Sequence, residues 1–340
     1  MTGPTALPRK RILIGDATEQ LRLLPGESVD MALTSPPFFR LRDYQIVGQL
    51  GLESHVNEWV GNLQATVREL RRVLLPTGSL WLNLGDTYAT HPREGAERKS
   101  LLLGPEQLAL RLLADGWLLR NKIIWAKTNP MPSSVRDRLT CTWEALYLFT
   151  KQPRYFFDLD AIRTPHTSTH HGRLRPDYQR PPREAWRGPN GDDASGLDAL
   201  KARGIIGHPL GKNPGDVWRI ASSNYRGAHH ATFPVALASR TIQAGSPEAR
   251  CSRCRLPWRR QLIRSIGGTA IRGALGPTCD CPAKSEPAVV LDPFFGAGTT
   301  AIAAEQLGRD WLGVELNPDF AQLAEQRIQD ARAGPTERAA

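Results

Sequence analysis

The chain has no apolar run long enough to cross a lipid bilayer, although it is 340 residues long. Its beginning, Met-Thr-Gly-Pro-Thr-Ala-Leu-Pro-Arg-Lys-Arg, also lacks the apolar core of a signal peptide. Acidic residues are outnumbered, 34 Asp and Glu against 44 Lys and Arg, which leaves a formal net charge of +10. We therefore expect a soluble, cytoplasmic protein that does not bind a membrane and that meets a partner of negative charge.

The positive charge is concentrated in two segments of the chain. Residues 151–226 contain 13 Lys or Arg against 8 Asp or Glu, and residues 247–287 contain 8 against 3. A basic surface of this kind is expected of a protein that binds nucleic acid. The alternative is an ordinary arginine-rich surface produced by a high-GC coding bias.

Strand and helix patterns alternate at both ends of the chain. Short apolar runs such as Val29 to Thr34 and Ala288 to Asp292 predict buried strands, and residues at helical spacing lie between such runs. Pro76-Thr-Gly78 is predicted to end a helix before the strand Ser79 to Gly85. The alternation predicts an α/β fold with a largely parallel sheet that helices cover on both faces.

The hexapeptide Thr-Ser-Pro-Pro-Phe-Phe (34–39) places hydrogen-bond acceptors where a predicted strand ends. Two successive prolines cannot donate hydrogen bonds and have fixed φ angles, so the Ser35 hydroxyl and the Pro36 carbonyl remain available. Phe38 or Phe39 adds a flat face for stacking. The segment can therefore hold an amino group, and a simple strand-terminating turn is the alternative.

A glycine loop, Asp292-Pro-Phe-Phe-Gly-Ala-Gly-Thr-Thr300, follows a predicted strand and opens a helix. Such glycines let a ligand approach the backbone near a helix N-terminus. Glu315 ends the next predicted strand, where an acidic side chain binds ribose hydroxyls in nucleoside sites. The loop lacks both the Gly-x-Gly-x-x-Gly pattern of nicotinamide enzymes and the Lys of a phosphate-binding loop. A nucleoside with little or no phosphate fits this pattern best.

Several of these motifs together resemble one known family. Asp-Pro-Phe-x-Gly-x-Gly-Thr-Thr, Gly313-Val-Glu-Leu-Asn-Pro318 and the upstream Ser-Pro-Pro-Phe are similar to motifs of the amino-group DNA methyltransferases that use S-adenosylmethionine, in the β-group order. Gly15-Asp16-Ala17, Arg72 to Leu80 and His230 to Val235 are similar to further motifs of that family. The resemblance covers nearly the whole chain and implies a Rossmann-like methyltransferase sheet in circularly permuted order.

The resemblance also implies roles for individual residues. Ser35 and the Pro36 carbonyl would bind the NH₂ group of a flipped-out base, on which Phe38, next to Pro37, would stack. S-adenosylmethionine would be bound by a larger set: Asp16, Thr232, Phe233, Pro234, Asp292, Phe294, Gly296, Gly298, Glu315 and Asn317. A core position for Phe294 and a helix-capping role for Asp16 are the alternatives to their cofactor roles.

The target atom is narrowed by a further absence. Methylation at cytosine C5 requires a cysteine nucleophile after a proline, and the chain contains no Pro-Cys pair. In the family, Ser at the first motif position is associated with N4 of cytosine, whereas Asp or Asn is usual for N6 of adenine. We therefore expect a site-specific N4-cytosine DNA methyltransferase, with N6-adenine methylation as the alternative. The intact motifs disfavour a catalytically silent DNA-binding regulator, and the permuted order disfavours an RNA or protein methyltransferase.

The chain has five cysteines, four of which form a Cys-x₂-Cys and a Cys-x-Cys pair: Cys251, Cys254, Cys279 and Cys281. In a cytoplasmic protein this spacing predicts a structural Zn²⁺ site rather than disulfides, and unrelated free thiols are the alternative. Metal binding, on the order of 10 kcal/mol or more, would exceed what the few apolar residues between the pairs supply. The same segment carries arginines that suggest contact with the DNA backbone: Arg253, Arg255, Arg259 and Arg260. We expect Cys141 to be a packed thiol without a catalytic role.

The motifs divide the chain into five parts. The catalytic half of the methyltransferase domain (1–151) and its cofactor-binding half (288–340) enclose a target-recognition region (152–226), a cofactor-closing segment (227–246) and a Cys₄ zinc-binding insert (247–287). The recognition region is irregular, and Gly188 to Gly204 is predicted to be a mobile loop. The resemblance implies double-stranded DNA, a second copy of the chain and a cognate restriction endonuclease as partners, in the nucleoid of a bacterial or phage-infected cell.

Overall fold

A computed structural model describes residues 7–165, 208–223, 232–264 and 270–334 of the chain. Its strands are β1 (Arg11–Ile14), β2 (Val29–Thr34), β3 (Leu74–Leu84), β4 (Leu118–Lys127), β5 (Trp143–Thr150), β6 (Val217–Ile220), β7 (Ala249–Cys251), β8 (Arg259–Arg264), β9 (Ala270–Gly276), β10 (Ser285–Pro287), β11 (Val289–Asp292) and β12 (Asp310–Glu315). Its α-helices are α1 (Ala17–Leu23), α2 (Val56–Val73), α3 (Gly104–Ala114), α4 (Val235–Gly245), α5 (Thr299–Gln306) and α6 (Pro318–Ala333).

Eight of these strands form one sheet, in the order β1-β12-β11-β2-β3-β5-β4-β6. Neighbouring strands from β1 to β3 in that order are parallel, β5 is antiparallel to both of its neighbours, and β6 is parallel to β4. The predicted mixed α/β fold with a central sheet is thereby confirmed. Strands from the two ends of the chain meet at its centre, because β11 lies between β12 and β2.

Helices cover both faces of this sheet. On one face, α2 buries an apolar stripe at helical spacing that includes Trp59, Leu63 and Leu70, and α1 and α3 pack beside it. On the other face, α4, α5 and α6 pack closely through small residues such as Ala301 and Ala324. Since β2 and β11 are buried along their whole length, the core fixes the positions of the residues that follow their carboxyl ends.

The predicted turn at Pro76-Thr-Gly78 is part of a strand instead. β3 begins directly after α2 and continues through these residues. Its register with β2 shifts there, from Val29 opposite Leu74 to Met31 opposite Ser79. A strand accommodates a proline at such an irregularity, because the ladder hydrogen bond that proline cannot donate is already missing.

The end of the predicted recognition region joins the sheet at one edge. Residues 208–223 include β6, which pairs with β4, and Trp218 packs against Trp81 with ring centroids 6.2 Å apart. The predicted mobile loop from Gly188 to Gly204 lies outside the described residues. In the described part of the chain, no helix is both long and apolar enough to span a bilayer.

A buried ionic network anchors the cysteine-containing insert to the amino-terminal edge of the parallel strands. Arg250 of β7 is 2% exposed and donates to the carboxylates of Asp30 at 2.7 Å and Glu286 at 2.8 Å. Asp30 also accepts the Val289 N–H at 2.8 Å, so one carboxylate joins the beginnings of β2 and β11. Burial raises the pKa of Asp30 to about 6, and the positive charge of Arg250 opposes that shift.

Removing the Arg250 side chain should destabilise the fold far more than removing an exposed arginine. Arg250→Ala leaves Asp30 buried without its cation, which costs about 3–5 kcal/mol. Arg68→Ala removes an arginine that is paired with Asp115 at 2.9 Å near the surface, and it should cost no more than about 1 kcal/mol. Urea unfolding measures both losses, and equal losses would contradict the role given to the buried network.

Candidate active site

The carboxyl ends of β1, β2, β11 and β12 open into one cleft of about 230 Å³. A single water needs only about 10–15 Å³ on the same scale, so the cleft accommodates a ligand of many atoms. Most of the predicted site residues line it: Asp16, Ser35, Pro36, Pro37, Phe38, Thr232, Phe233, Phe294, Gly296, Glu315 and Asn317. Three described residues that were predicted to bind the cofactor are not part of this lining: Pro234, Asp292 and Gly298.

The acceptor segment after β2 is fixed by hydrogen bonds to neighbouring elements. The Ser35 hydroxyl donates to Asn83 Oδ1 at 3.1 Å. The indole N–H of Trp59, on α2, donates to the Pro37 carbonyl at 2.9 Å. The two prolines therefore stand on a backbone that is bound on both sides, and Ser35 and Pro36 face the cleft on a rigid support.

The two phenylalanines of the motif have different environments. Phe38 lines the cleft and packs against Gly85, where an added Cβ would lie 2.7 Å from its ring. Phe39 is buried, with its ring centroid 6.3 Å from that of Trp59. Phe38 is therefore the aromatic side chain that a ligand in the cleft can contact.

Glu315 is bound to the backbone of the glycine loop. Its carboxylate accepts the Gly296 N–H at 2.7 Å and the Asn317 N–H at 2.9 Å, and burial raises its pKa. Gly296 has a φ of +52° and Gly298 has a φ of +75°, which are left-handed conformations that favour glycine. The loop can therefore turn tightly and approach a ligand at the entrance to α5.

Asp292 lies behind the cleft and joins the two motifs. The hydroxyls of Thr34 and Thr300 donate to its carboxylate at 2.7 and 2.6 Å, and the Phe294 N–H donates at 3.1 Å. Burial raises the pKa of Asp292 to about 7, although these three hydrogen bonds act in the opposite direction. The residue therefore positions the end of β2 against the glycine loop.

Asp16 and Asn317 each combine a place in the cleft with a helix cap. Asp16 accepts the Glu19 N–H at 3.0 Å at the beginning of α1, and Asn317 accepts the Asp319 N–H at 2.9 Å at the beginning of α6. The capping alternative for Asp16 is thereby confirmed without removing it from the cleft wall. Pro234 precedes α4 and is buried.

Sequence reasoning missed several residues that line the cleft: Tyr44, Asn83, Trp125, Lys127, Glu144 and Phe320. Lys127 and Glu144 form an ion pair across β4 and β5. Only Asn83 gave a readable signal, because it is a polar residue within an otherwise apolar strand. The others come from segments far apart in the chain, which only the sheet pairing brings together.

The cysteines of the predicted metal site lie together at the insert. The sulfur atoms of four of them are all within 4.8 Å of one another: Cys251, Cys254, Cys279 and Cys281. Backbone N–H groups lower the pKa of Cys251 to about 6, whereas the Cys254 side chain and burial raise the pKa of Cys281 to about 12. Thiolates this close repel one another unless a cation lies between them. Tetrahedral Zn²⁺ with Zn–S bonds of about 2.3 Å would need sulfurs about 3.8 Å apart, which this cluster can provide.

The arginines of the insert contact this chain itself. Arg260 makes two hydrogen bonds with Glu248, at 2.7 and 2.6 Å, and Arg255 donates to the Glu27 carbonyl. The insert also lies at the sheet edge opposite the cleft. Both observations weigh against the predicted contact of these arginines with the DNA backbone.

The prediction that Cys141 is packed is wrong, because this thiol is exposed. Its sulfur lies 3.9 Å from the Tyr88 hydroxyl. β5 begins only at Trp143, so the residues before it lie outside the core.

An α/β sheet with a ligand cleft at the carboxyl ends of its central parallel strands defines the fold and site of a nucleotide- or nucleoside-binding α/β protein. Residues 29–326 match the N6/N4 methyltransferase family described as DNA methylase. The chain is 32% identical over 339 residues to the type II methyltransferase M.SmaI of Serratia marcescens, a match that covers 94% of this chain and 90% of that protein. This chain belongs to the amino-directed DNA methyltransferases.

Solved structures have a similar fold. PvuII DNA methyltransferase (cytosine-N4-specific) superposes with a TM-score of 0.57 at 18% identity, over 96% of this chain and 93% of that one. A DNA modification methylase of Thermus thermophilus, solved with S-adenosyl-L-methionine, has a TM-score of 0.54 at 23% identity, over 95% of each chain. At these identities the likeness concerns the fold.

Asp292 should make the protein less stable as the pH rises. Its pKa is about 7 in the folded state, above the ordinary value of 3.8, so its favourable contribution is complete below pH 3.8 and is lost towards pH 7. Within that range the free energy of unfolding should fall by roughly 1.4 kcal/mol per pH unit through this group. Asp292→Asn should remove that part of the slope in denaturant unfolding at a series of pH values.

The exposed Asp137, which pairs with Lys99 at 2.6 Å, offers the matched control. Its pKa is lowered, mainly by the hydrogen bond from Lys99, so Asp137→Asn should not remove a fall in stability between pH 4 and 7. A wild-type slope that survives unchanged in Asp292→Asn would contradict the raised pKa.

Proposed function

We propose that this chain transfers a methyl group from S-adenosylmethionine to the exocyclic N4 of a cytosine in duplex DNA. One observation carries the proposal: the Ser35-Pro36-Pro37-Phe38 segment and the glycine loop with Glu315 line the same cleft. The first is an amino-binding segment and the second is typical of nucleoside binding. A cavity that contains both suits a transfer between a nucleoside donor and an amino base.

The lining residues fit S-adenosylmethionine. Glu315 would accept hydrogen bonds from the ribose hydroxyls with the lone pairs that Gly296 and Asn317 leave free. Thr232 and Phe233 would close the pocket from the segment before α4. When bound, this cofactor supplies an electrophilic methyl group on a sulfonium sulfur.

The residues after β2 would make a poor nucleophile reactive. The lone pair of an exocyclic amino nitrogen is delocalised into the base, and acceptors on its two hydrogens localise that pair on the nitrogen. The Ser35 hydroxyl oxygen and the Pro36 carbonyl would be these acceptors, and the cleft would align the nitrogen with the donor methyl group. The amino nitrogen forms the N–C bond as the donor's C–S bond breaks with its electron pair on sulfur, and it then loses one proton to water.

The base must leave the duplex before the cleft can enclose it. Flipping costs a few kcal/mol in lost pairing and stacking. Phe38 would offset part of this cost, since stacking of one base on an aromatic ring contributes about 1–3 kcal/mol. The proposed recognition region (152–226) reaches the same site, because Ser222 and Ser223 at its described end line the cleft.

We further infer that the family fold is circularly permuted in this chain and that it divides into the five parts given by the sequence. The inference is supported by the central position of β11, whose Asp292 binds Thr34 across 258 residues of sequence. The catalytic half thus precedes the cofactor-binding half in the chain but adjoins it in the sheet.

The cysteine cluster is proposed to bind one structural Zn²⁺. Cys251 directly follows Arg250, so the metal would hold the insert beside the buried network at the amino-terminal edge of the sheet. Its role would therefore be to stabilise the fold, at a distance from the reacting atoms.

Ser35→Ala and Glu315→Ala should fail in different ways. Loss of the Ser35 acceptor should lower kcat by about 10²-fold or more with little change in cofactor affinity. Loss of the Glu315 carboxylate should weaken cofactor binding by roughly 10- to 150-fold. Calorimetric titration with S-adenosylmethionine and single-turnover methyl transfer measure the two effects, and a Ser35→Ala enzyme of unchanged rate would remove the hydroxyl from the mechanism.

The function itself is tested on the DNA of an expression host. Sequencing that distinguishes N4-methylcytosine from N6-methyladenine should detect N4-methylcytosine in one sequence context, and Ser35→Ala should abolish the signal. N6-methyladenine in a fixed context would replace the target by the alternative amino base. Labelled methyl groups found only in RNA or protein would contradict the proposal.

Zinc should be present at one ion per chain and should be lost when a ligand is replaced. Cys254→Ser should lower the zinc content and the melting temperature, because the insert then loses the metal that offsets its small core. Cys141→Ser is the matched control, since Cys141 lies outside the cluster. Elemental analysis and thermal unfolding with and without a chelator measure both, and a metal-free wild-type protein of the same stability would exclude the site.

A further inference from the structure

Asn83 fixes the direction of the Ser35 hydroxyl proton. The Asn83 side chain is 2% exposed on β3, with Nδ2 at 3.2 Å from the Ala145 carbonyl oxygen and Oδ1 at 3.1 Å from the Ser35 hydroxyl. A carbonyl oxygen can only accept a hydrogen bond, so the amide nitrogen must face Ala145 and the amide oxygen must face Ser35. Ser35 consequently donates its single hydroxyl proton to Asn83.

A hydroxyl that has donated its proton presents only lone pairs to a ligand. Ser35 lines the cleft, so the surface that it offers there is an acceptor. An amino substituent on a base places a hydrogen against this acceptor. A keto oxygen at the same position on the base would place lone pair against lone pair.

We infer that Asn83 is a specificity-determining residue, which makes the cleft select bases with an amino group over their keto counterparts. The paired bases are cytosine and uracil, or adenine and hypoxanthine. Asn83 acts through Ser35 and is a positioning residue. The inference rests on the proposed function, because it takes a base as the ligand of Ser35.

The burial of Asn83 supports this role over simple packing. Its neighbours in β3, Leu82 and Leu84, are apolar and buried. An amide buried among them is costly unless both of its ends form hydrogen bonds, and here both ends do. If Asn83 served only to fill space between the strands, an apolar side chain of the same size would serve equally well.

The test compares the binding of duplexes that differ only in the target base. Each duplex carries cytosine or uracil opposite an abasic site, so neither base breaks a pair on entering the cleft; adenine and hypoxanthine replace them if the wild type methylates adenine. The wild type should bind the amino base more tightly by about 5- to 150-fold, the cost of leaving a buried acceptor unpaired. Asn83→Leu should reduce this ratio at least about fivefold, because the freed hydroxyl can rotate and donate to the keto oxygen.

Three further variants isolate the mechanism. Asn83→Asp keeps an acceptor for the Ser35 proton and should retain the preference for the amino base. Tyr147→Phe removes a hydroxyl of β5 that donates to Glu106 at 3.2 Å, and it should leave the preference unchanged. In a Ser35→Ala background, Asn83→Leu should cause no further change, since the group through which Asn83 acts is absent.

An unchanged ratio in folded Asn83→Leu would overturn the inference, and so would an equal change in the Ser35→Ala background. If Asn83→Leu does not fold, Asn83→Ala gives the same comparison with a smaller side chain. A wild type that methylates no DNA would instead refute the proposed function, so the two failures are distinct.

Discussion

The two ends of the chain are joined at one buried carboxylate. Asp292 ends β11 and accepts the Thr34 hydroxyl, which ends β2, while it also binds Thr300 at the beginning of α5. A carboxylate excluded from water is costly unless such donors surround it, so these donors must be in place for the sheet to close. The relative position of the acceptor segment and the glycine loop therefore depends on this one cluster of hydrogen bonds.

The sheet separates reactivity from anchoring. Its carboxyl edge carries the flexible requirements of a ligand site, with left-handed glycines and acceptors that leave lone pairs free. Its amino-terminal edge carries Arg250 and Asp30, whose charges are buried and paired. Disturbance of the insert would therefore reach the cleft only through β2 and β11, the strands that both edges share.

The sequence predicted those parts of the site that the backbone itself demands. Gly296, Ser35 and Glu315 stand at strand ends or in a turn that few other residues can form, so their pattern is readable. Asn83 was missed because one polar residue in a strand has no distinctive spacing. Arg250 was counted with an exposed basic segment, since a charge count cannot distinguish a buried, paired arginine from a solvated one. The fold class followed from alternation, whereas the irregular register of β3 depends on the neighbouring strand.

The pairing of β2 with β11 also has a consequence for biosynthesis. β2 is complete at residue 34, but its central neighbour begins only at residue 289. While the ribosome makes the intervening chain, one edge of an apolar strand stays unpaired and open to other polypeptides. Folding of the catalytic half is therefore tied to completion of the chain, and slow translation of the long middle region would prolong the interval in which a nascent chain needs protection by chaperones.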